Sequence, residues 1–143
     1  MFGIFTFKGR LSRNGYWRFR WISVGIAMMA MVSFLLLAET VVTSWAWLVF
    51  PLAGAVLLLA SLSTTVRRLH DRNRSGWWLL GFGLLPLLVG AGFYVSSLLA
   101  KPYSDWAFFG GFAVAMALSL WASIEVDFLP GTPGPNRFGA EPE

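Results

Sequence analysis

The chain has 143 residues, of which 57% are hydrophobic and only 13% are charged, whereas a soluble domain carries about one quarter charged residues. Four stretches contain no Asp, Glu, Lys or Arg, namely 21–38, 40–66, 75–100 and 106–124. About 20 apolar residues of helix cross the hydrocarbon core of a bilayer. The composition therefore excludes an ordinary soluble domain, a disordered tail and a disulfide-stapled secreted module. It predicts one integral membrane domain over residues 1–143.

The uncharged stretches are apolar on every face, which favours helices surrounded by lipid or by each other. A strand of a membrane barrel would instead alternate apolar and polar residues. We place the helices at 21–38, 45–66, 77–100 and 106–124, and each of these ranges begins at a tryptophan. Tryptophan favours the headgroup level of a bilayer. The predicted fold is therefore all-α, an integral membrane bundle of four transmembrane helices with an N-terminal interfacial segment.

The basic residues indicate how this bundle is oriented. Nine of the eleven Lys and Arg residues fall in 1–20 and 67–76, two segments that four crossings place on the same side. Short basic segments stay in the cytoplasm. We therefore predict a basic cytoplasmic N-terminal segment at 1–20, a four-helix transmembrane region at 21–124, and a Pro/Gly-rich cytoplasmic tail at 125–143. Both termini are then cytoplasmic.

The N-terminal segment mixes cations with aromatic side chains. Ser12 is expected to cap a helix that begins at Arg13, because its hydroxyl can accept a free N–H of the first turn. Tyr16, Trp17 and Phe19 would then lie at the membrane interface. The guanidinium groups of Arg13, Arg18 and Arg20 would lie near the lipid phosphates. This arrangement is typical of an interfacial segment that leads into a span.

The segment between the second and third helices carries four arginines around Asp71. Asp71 is expected to pair with one of them and fix the turn, and Ser75 is expected to cap the third helix. His70 beside Asp71 suggests a base with its orienting acid, but adjacent residues rarely face each other and no nucleophile is obvious. We therefore assign no catalytic residue. With one histidine and no cysteine, we predict neither a metal site nor a cofactor.

Together the two segments place cations and aromatic rings at the inner leaflet, where each cation adds about 1 kcal/mol to the binding of anionic lipid. We predict contacts with the headgroups of anionic phospholipids or with an unidentified membrane protein partner, and no nucleic acid. The candidate contact residues are Arg10, Arg13, Tyr16, Trp17, Arg67, Arg68, His70, Asp71, Arg72, Arg74, Trp77 and Trp78. The predicted function is that of a non-enzymatic structural or interaction protein.

Two other functions stay open. A small transporter or channel would need a polar path between the helices. The predicted spans contain no ionisable side chain except Tyr94, and this counts against a transporter coupled to ions. The residues available for such a path are Ser61, Ser63, Thr64, Ser96, Ser97 and Ser119. A membrane enzyme acting on a lipid headgroup would use His70, Asp71 and nearby arginines.

Three motifs in this order resemble a known family. They are residues 9–13 (GRLSR) followed by Tyr16 and Trp17, residues 67–71 (RRLHD) followed by 75–78 (SGWW), and residues 136–139 (NRFG) followed by Pro142. The chain resembles the bacterial membrane family called domain of unknown function 805, the YhaH-like inner-membrane proteins. The resemblance implies a multi-pass protein of the bacterial cytoplasmic (inner) membrane. It supplies no established activity and no catalytic residues.

The C-terminal tail is rich in Pro and Gly, a composition typical of a flexible segment. The resemblance covers this tail, which implies more than a slack end. We expect Phe138 to pack against the cytoplasmic helix ends. We also expect Glu141 or Glu143 to meet the arginines.

Overall fold

The computed structural model describes residues 5–41, 46–99, 101 and 103–142. They form α1 (Arg13–Val41), α2 (Ala46–Asp71), α3 (Trp78–Ser96) and α4 (Tyr103–Ser123), and α4 continues into a π-helix (Ile124–Phe128). Within the described residues, each of the four α-helices contains a stretch long and apolar enough to cross a membrane. The all-α prediction is confirmed. The second span was predicted to begin at Trp45, which lies outside the described residues.

The N-terminal segment from Arg13 onward and the first span form one continuous helix, α1. The Ser12 hydroxyl accepts a hydrogen bond from the Gly15 N–H at 3.3 Å, so the predicted N-terminal cap of α1 is confirmed. The 29 residues of α1 have a length of about 44 Å at 1.5 Å per residue. Since the hydrocarbon core of a bilayer is about 30 Å thick, α1 extends beyond it, which leaves room for its basic first turns outside the core.

The predicted cap at Ser75 is wrong. The helix α3 begins one residue after Trp77, and no side chain caps it. Instead, the backbone carbonyl of Ser75 accepts the N–H of Trp78 at 3.2 Å, and the carbonyl of Gly76 accepts the N–H of Leu79 at 3.0 Å. These tight turns satisfy the first N–H groups of the helix with backbone oxygens, so a capping hydroxyl is not needed there.

The helices pack as two neighbouring pairs, α1 against α2 and α3 against α4. The second pair approaches closely at Gly111, where an added Cβ would lie 2.7 Å from the Phe93 ring. The π-helix contacts α1 and α2 and so joins the two pairs. Many large apolar side chains on all four helices are exposed, as expected for surfaces that face lipid.

The buried core lies at one end of the molecule. It consists of Tyr16, Leu69 and Val126, with Trp78 and Phe82 packed against it. This end contains residues 5–20, 67–77 and 124–142, and we call it the polar end. The cores of soluble bundles run along the whole helix. Here eight of the thirteen buried side chains in the described part of the chain belong to the polar end, so burial is concentrated where the chain leaves the apolar stretches.

Candidate functional site

Asp71, the last residue of α2, is the centre of a buried ion cluster. Its Oδ1 accepts hydrogen bonds from Nε of Arg10 at 3.0 Å and from Nη2 of Arg10 at 2.9 Å. Its Oδ2 accepts one from Nη1 of Arg68 at 2.5 Å. All three side chains are at most 3% exposed. We call Arg10, Arg68 and Asp71 the Asp71 cluster. The predicted pairing of Asp71 with an arginine is confirmed, and two arginines take part.

The two arginines of this cluster also bind the backbone of the C-terminal region. Arg68 donates from Nε to the Val126 carbonyl at 2.9 Å and from Nη2 to the Leu129 carbonyl. Arg10 donates to the carbonyls of Thr132 and Gly134, both at 2.6 Å. Two guanidinium groups and one carboxylate leave one positive charge in excess. The four carbonyl dipoles offset it, as a buried ion cluster requires.

The tail returns hydrogen bonds to the same helix end. Both the N–H and the hydroxyl of Thr132 donate to the backbone carbonyl of Asp71, at 2.8 and 3.0 Å. Gly131 lies directly on the carboxylate, because a Cβ built there would be 2.1 Å from Asp71 Oδ2. Only glycine fits at position 131 without moving the Asp71 side chain. Composition had indicated a flexible linker here, so this close approach was missed.

A second set of ion pairs attaches the π-helix to the rest of the polar end. Glu125 pairs with Nη2 of Arg72 at 3.1 Å and with Nε of Arg74 at 3.4 Å. Asp127 pairs with Nη1 of Arg20 at 3.4 Å, and its backbone carbonyl accepts the indole N–H of Trp17 at 2.9 Å. In this second set, both acids belong to the π-helix that follows α4.

The predicted packing of Phe138 is confirmed. Its ring stacks on His70 with centroids 3.9 Å apart and planes 5° from parallel. Nδ1 of His70 lies 3.1 Å from the carbonyl oxygen of Gly9, and Asn136 donates to the His70 carbonyl at 3.0 Å. The expectation that Glu141 or Glu143 meets the arginines stays a prediction, and the Glu141 carboxylate accepts the N–H of Gly134 at 2.6 Å. Glu143 lies outside the described residues.

His70 and Asp71 do not form an acid–base pair. The His70 ring is directed to Gly9 and Phe138, whereas the Asp71 carboxylate is bound by Arg10 and Arg68. A catalytic base needs its orienting acid within hydrogen-bond reach. Among the described residues there is also no group of three His, Cys, Asp or Glu side chains that could hold a metal ion.

The twelve candidate contact residues divide by exposure. Four are buried and bonded within the protein, so in this conformation they cannot touch a lipid headgroup or a partner: Arg10, Tyr16, Arg68 and Asp71. Five are partly buried: Trp17, Arg67, His70, Arg72 and Trp78. Three are exposed: Arg13, Arg74 and Trp77. Arg18 and Arg20, which were predicted to lie near the lipid phosphates but are not among the twelve, are also exposed.

The hydroxyl groups suggested for a polar path bond mainly to their own helices. Ser63 and Thr64 donate to the Ala60 carbonyl at 3.2 and 2.8 Å, and Ser97 donates to the Tyr94 carbonyl at 2.6 Å. Thr64 lies in the half of α2 nearer the polar end, whereas Ser97 follows the opposite end of α3. These hydroxyls therefore do not gather at one point.

Comparison with known proteins identifies the family. The family model described as "Protein of unknown function (DUF805)" matches residues 4–140. The chain belongs to this family. It is 28% identical over 138 residues to the uncharacterized protein YiiR of Escherichia coli (strain K12). This alignment covers 96% of the chain and 86% of YiiR. It is 25% identical over 142 residues to the inner membrane protein YhaH of the same strain, covering 96% of the chain and 87% of YhaH. No solved structure matches the chain.

Membership in DUF805 agrees with the helices. A family of unknown function, a relative described as an inner membrane protein and four apolar helices together make the chain a membrane protein whose biochemical activity is not established. The motif residues of the first and second segments meet the tail in the Asp71 cluster and its surroundings. The resemblance seen in three separate motifs therefore corresponds to one packed region.

Proposed function

We propose that the protein is a non-enzymatic membrane protein whose polar end lies at the cytoplasmic face of the bacterial inner membrane and binds anionic lipid headgroups. The orientation rests on charge. The sequence ranges 1–20, 67–77 and 124–143 carry ten basic and five acidic residues, whereas the segments at the opposite end carry Lys101, Glu39 and Asp105. An excess of Lys and Arg in short segments is retained in the cytoplasm.

The observation that carries the proposal is that exposed cations and exposed tryptophans occur at, or within one residue of, the polar end. Arg13 and Arg18 on the first turns of α1 are exposed, and so are Trp21 and Trp77. Within the described part of the chain, Arg18 has no hydrogen-bond or ion-pair partner, and Arg13 makes one bond of 3.3 Å to a backbone carbonyl. These guanidinium groups are free for phosphate at the level where indole rings favour the headgroups.

The buried cations support the same proposal indirectly. Arg10 and Arg68 of the Asp71 cluster bind the tail, so their guanidinium groups are not available to lipid headgroups. The packed polar end then holds the exposed cations at one level relative to the membrane.

A small transporter or channel is the alternative function. The hydroxyl groups that donate within their own helices count against it, because they offer few hydrogen-bond donors to a polar solute.

We expect the native protein to retain phosphatidylglycerol in preference to phosphatidylcholine. The double variant Arg13→Gln/Arg18→Gln should lose most of this preference, by about tenfold to thirtyfold, since each cation near an anionic surface contributes about 1 kcal/mol. The measurement is native mass spectrometry of the protein purified in mild detergent and titrated with each lipid at low salt.

The matched control is Lys101→Gln, which removes one exposed cation at the opposite end, where it pairs weakly with Asp105 at 3.7 Å. It should leave the lipid preference unchanged. Equal retention of both lipids by the native protein, or an undiminished preference in the double variant, would show that the polar end is not a headgroup-binding surface.

A further inference from the structure

A groove with a volume of about 490 Å³ lies between α1 and α2 in the half of the helices nearer the polar end. Its walls are apolar, with Val24 and Ala27 from α1 and Leu57 and Leu58 from α2. Gly54 opens one part of the wall, because nothing lies within 4 Å of a Cβ placed there. The volume falls within the range of small-molecule binding sites.

Arg20 lies where this groove meets the polar end. Nη1 of Arg20 donates to the Tyr16 hydroxyl at 3.0 Å and lies 3.4 Å from the Asp127 carboxylate. The Arg20 side chain remains 47% exposed. Arg20 lines both the groove and a neighbouring hollow that contains Asp127, whereas Asp127 does not line the groove. The guanidinium therefore lies between the acid and the groove, and part of its donor capacity stays free for a second anion.

The hydroxyl groups along the groove do not make it a polar site. Thr64 donates to the Ala60 carbonyl at 2.8 Å and Thr65 donates to the Ser61 carbonyl at 2.7 Å. These two hydroxyls donate within α2, and although Ser23 and Ser61 also line the groove, most of its wall is apolar. A ligand that fits this chemistry has a hydrocarbon part in the groove and an anionic group at Arg20.

We propose that the groove holds one acyl chain of an anionic phospholipid whose phosphate is bound by Arg20. This deepens the headgroup-binding function proposed above and rests on it, because it assigns one specific lipid position in addition to the general attraction of the exposed cations. Charge complementarity at the mouth selects an anionic lipid, since a guanidinium binds phosphate through charge-assisted hydrogen bonds. The apolar walls select its hydrocarbon part.

The length of the groove suits one hydrocarbon chain. The α1 residues that line it run from Tyr16 to Ala27, a length of about 16 Å at 1.5 Å per residue, and a single acyl chain can lie along an apolar strip of this length.

The test is photocrosslinking with phosphatidylglycerol that carries a diazirine in one acyl chain, incorporated with the full-length protein into nanodiscs. We expect crosslinks concentrated on residues 23–27 and 54–58. Gly54→Leu adds a side chain where a Cβ meets no atom within 4 Å, and by occupying the groove it should lower these crosslinks at least fivefold. Gly90→Leu is the matched control, because Gly90 also has nothing within 4 Å of an added Cβ but lies on α3, and it should leave the crosslinks unchanged.

A second variant probes the headgroup. Arg20→Gln should reduce the preference of this site for diazirine phosphatidylglycerol over the matching phosphatidylcholine by about tenfold, as expected for losing one charge-assisted phosphate contact. Crosslinks spread evenly over the four helices, crosslinks unaffected by Gly54→Leu, or chain-to-chain adducts in their place would overturn the assignment. If the native protein still prefers phosphatidylglycerol in native mass spectrometry, those results reject the groove alone and leave the general headgroup binding standing.

Discussion

Asp71→Asn is expected to lower the free energy of unfolding by about 3–5 kcal/mol, the usual cost of removing one partner from a buried ion pair. The substitution keeps the size of the side chain and removes its charge. The guanidinium groups of Arg10 and Arg68, which are 1% and 0% exposed, then lose their only carboxylate within the described residues. Neither can reach water without moving the tail. We therefore expect the tail to detach together with the loss of stability.

The measurement for this variant is denaturant unfolding of the purified protein in mild detergent, with limited proteolysis of the tail as a second readout. The control is Asp105→Asn. Asp105 pairs with Lys101 at 3.7 Å, with side-chain exposures of 53% and 80%, and an exposed pair of this kind contributes at most about 1 kcal/mol. If the two variants unfold alike and the tail stays protected in both, the Asp71 cluster does not hold the polar end together.

Gly131→Ala should cost about 1–3 kcal/mol, the usual penalty for overpacking a tight site. The new methyl group would lie 2.1 Å from Asp71 Oδ2. A flexible side chain could move aside, but three hydrogen bonds from Arg10 and Arg68 hold this carboxylate in place. The tail must shift instead, which strains the bonds between Thr132 and the Asp71 carbonyl.

A double-mutant cycle makes this expectation specific. In an Asp71→Ala background the obstructing carboxylate is absent, so Gly131→Ala should cost much less than in the native protein, giving a coupling between the two sites. Gly90→Ala is the control, since Gly90 has open space around an added Cβ and alanine favours a helix more than glycine does. Additive effects at positions 71 and 131 would mean that Gly131 does not rest on the carboxylate.

The helices were predictable because their cause is local. Uncharged stretches of about 20 residues must satisfy their backbone hydrogen bonds internally in lipid, and a helix does so within one segment. The cap at Ser12 was predictable for the same reason, since it depends on a neighbour three residues away. At Ser75 the same local rule failed, because backbone carbonyls of the turn satisfied the N–H groups first.

The arrangement of the polar end was only partly predictable. The charge pattern indicated that Asp71 pairs with an arginine, but Arg10 lies 61 residues away in sequence, and nothing local identifies it over its neighbours. The contacts of the tail were equally unpredictable, because Arg10 donates a hydrogen bond to the carbonyl of Gly134, which is 124 residues away in sequence. A Pro/Gly-rich composition describes an unconstrained chain well. It does not show that Gly131 is required by an approach to a buried carboxylate.

The exposure of each cation also depends on this long-range packing. Sequence proximity placed Arg67, Arg68, Arg72 and Arg74 in one patch, yet Arg68 is fully buried while Arg74 is exposed. Each of them follows or ends the apolar part of α2 and each carries the same charge. Their exposure differs because only one side of this helix end is covered by the π-helix and the tail. The exposure of each arginine therefore depends on residues 124–134, which are distant in sequence.

The most direct test of the whole account is the side of the membrane on which the polar end lies. The chain contains no cysteine, so single cysteines at Lys8 and Lys101, both exposed, can be labelled with a membrane-impermeant maleimide in spheroplasts. We predict that Lys101→Cys reacts in intact spheroplasts and that Lys8→Cys reacts only after the membrane is permeabilised. Labelling of Lys8→Cys in intact spheroplasts would place the polar end outside and contradict the account.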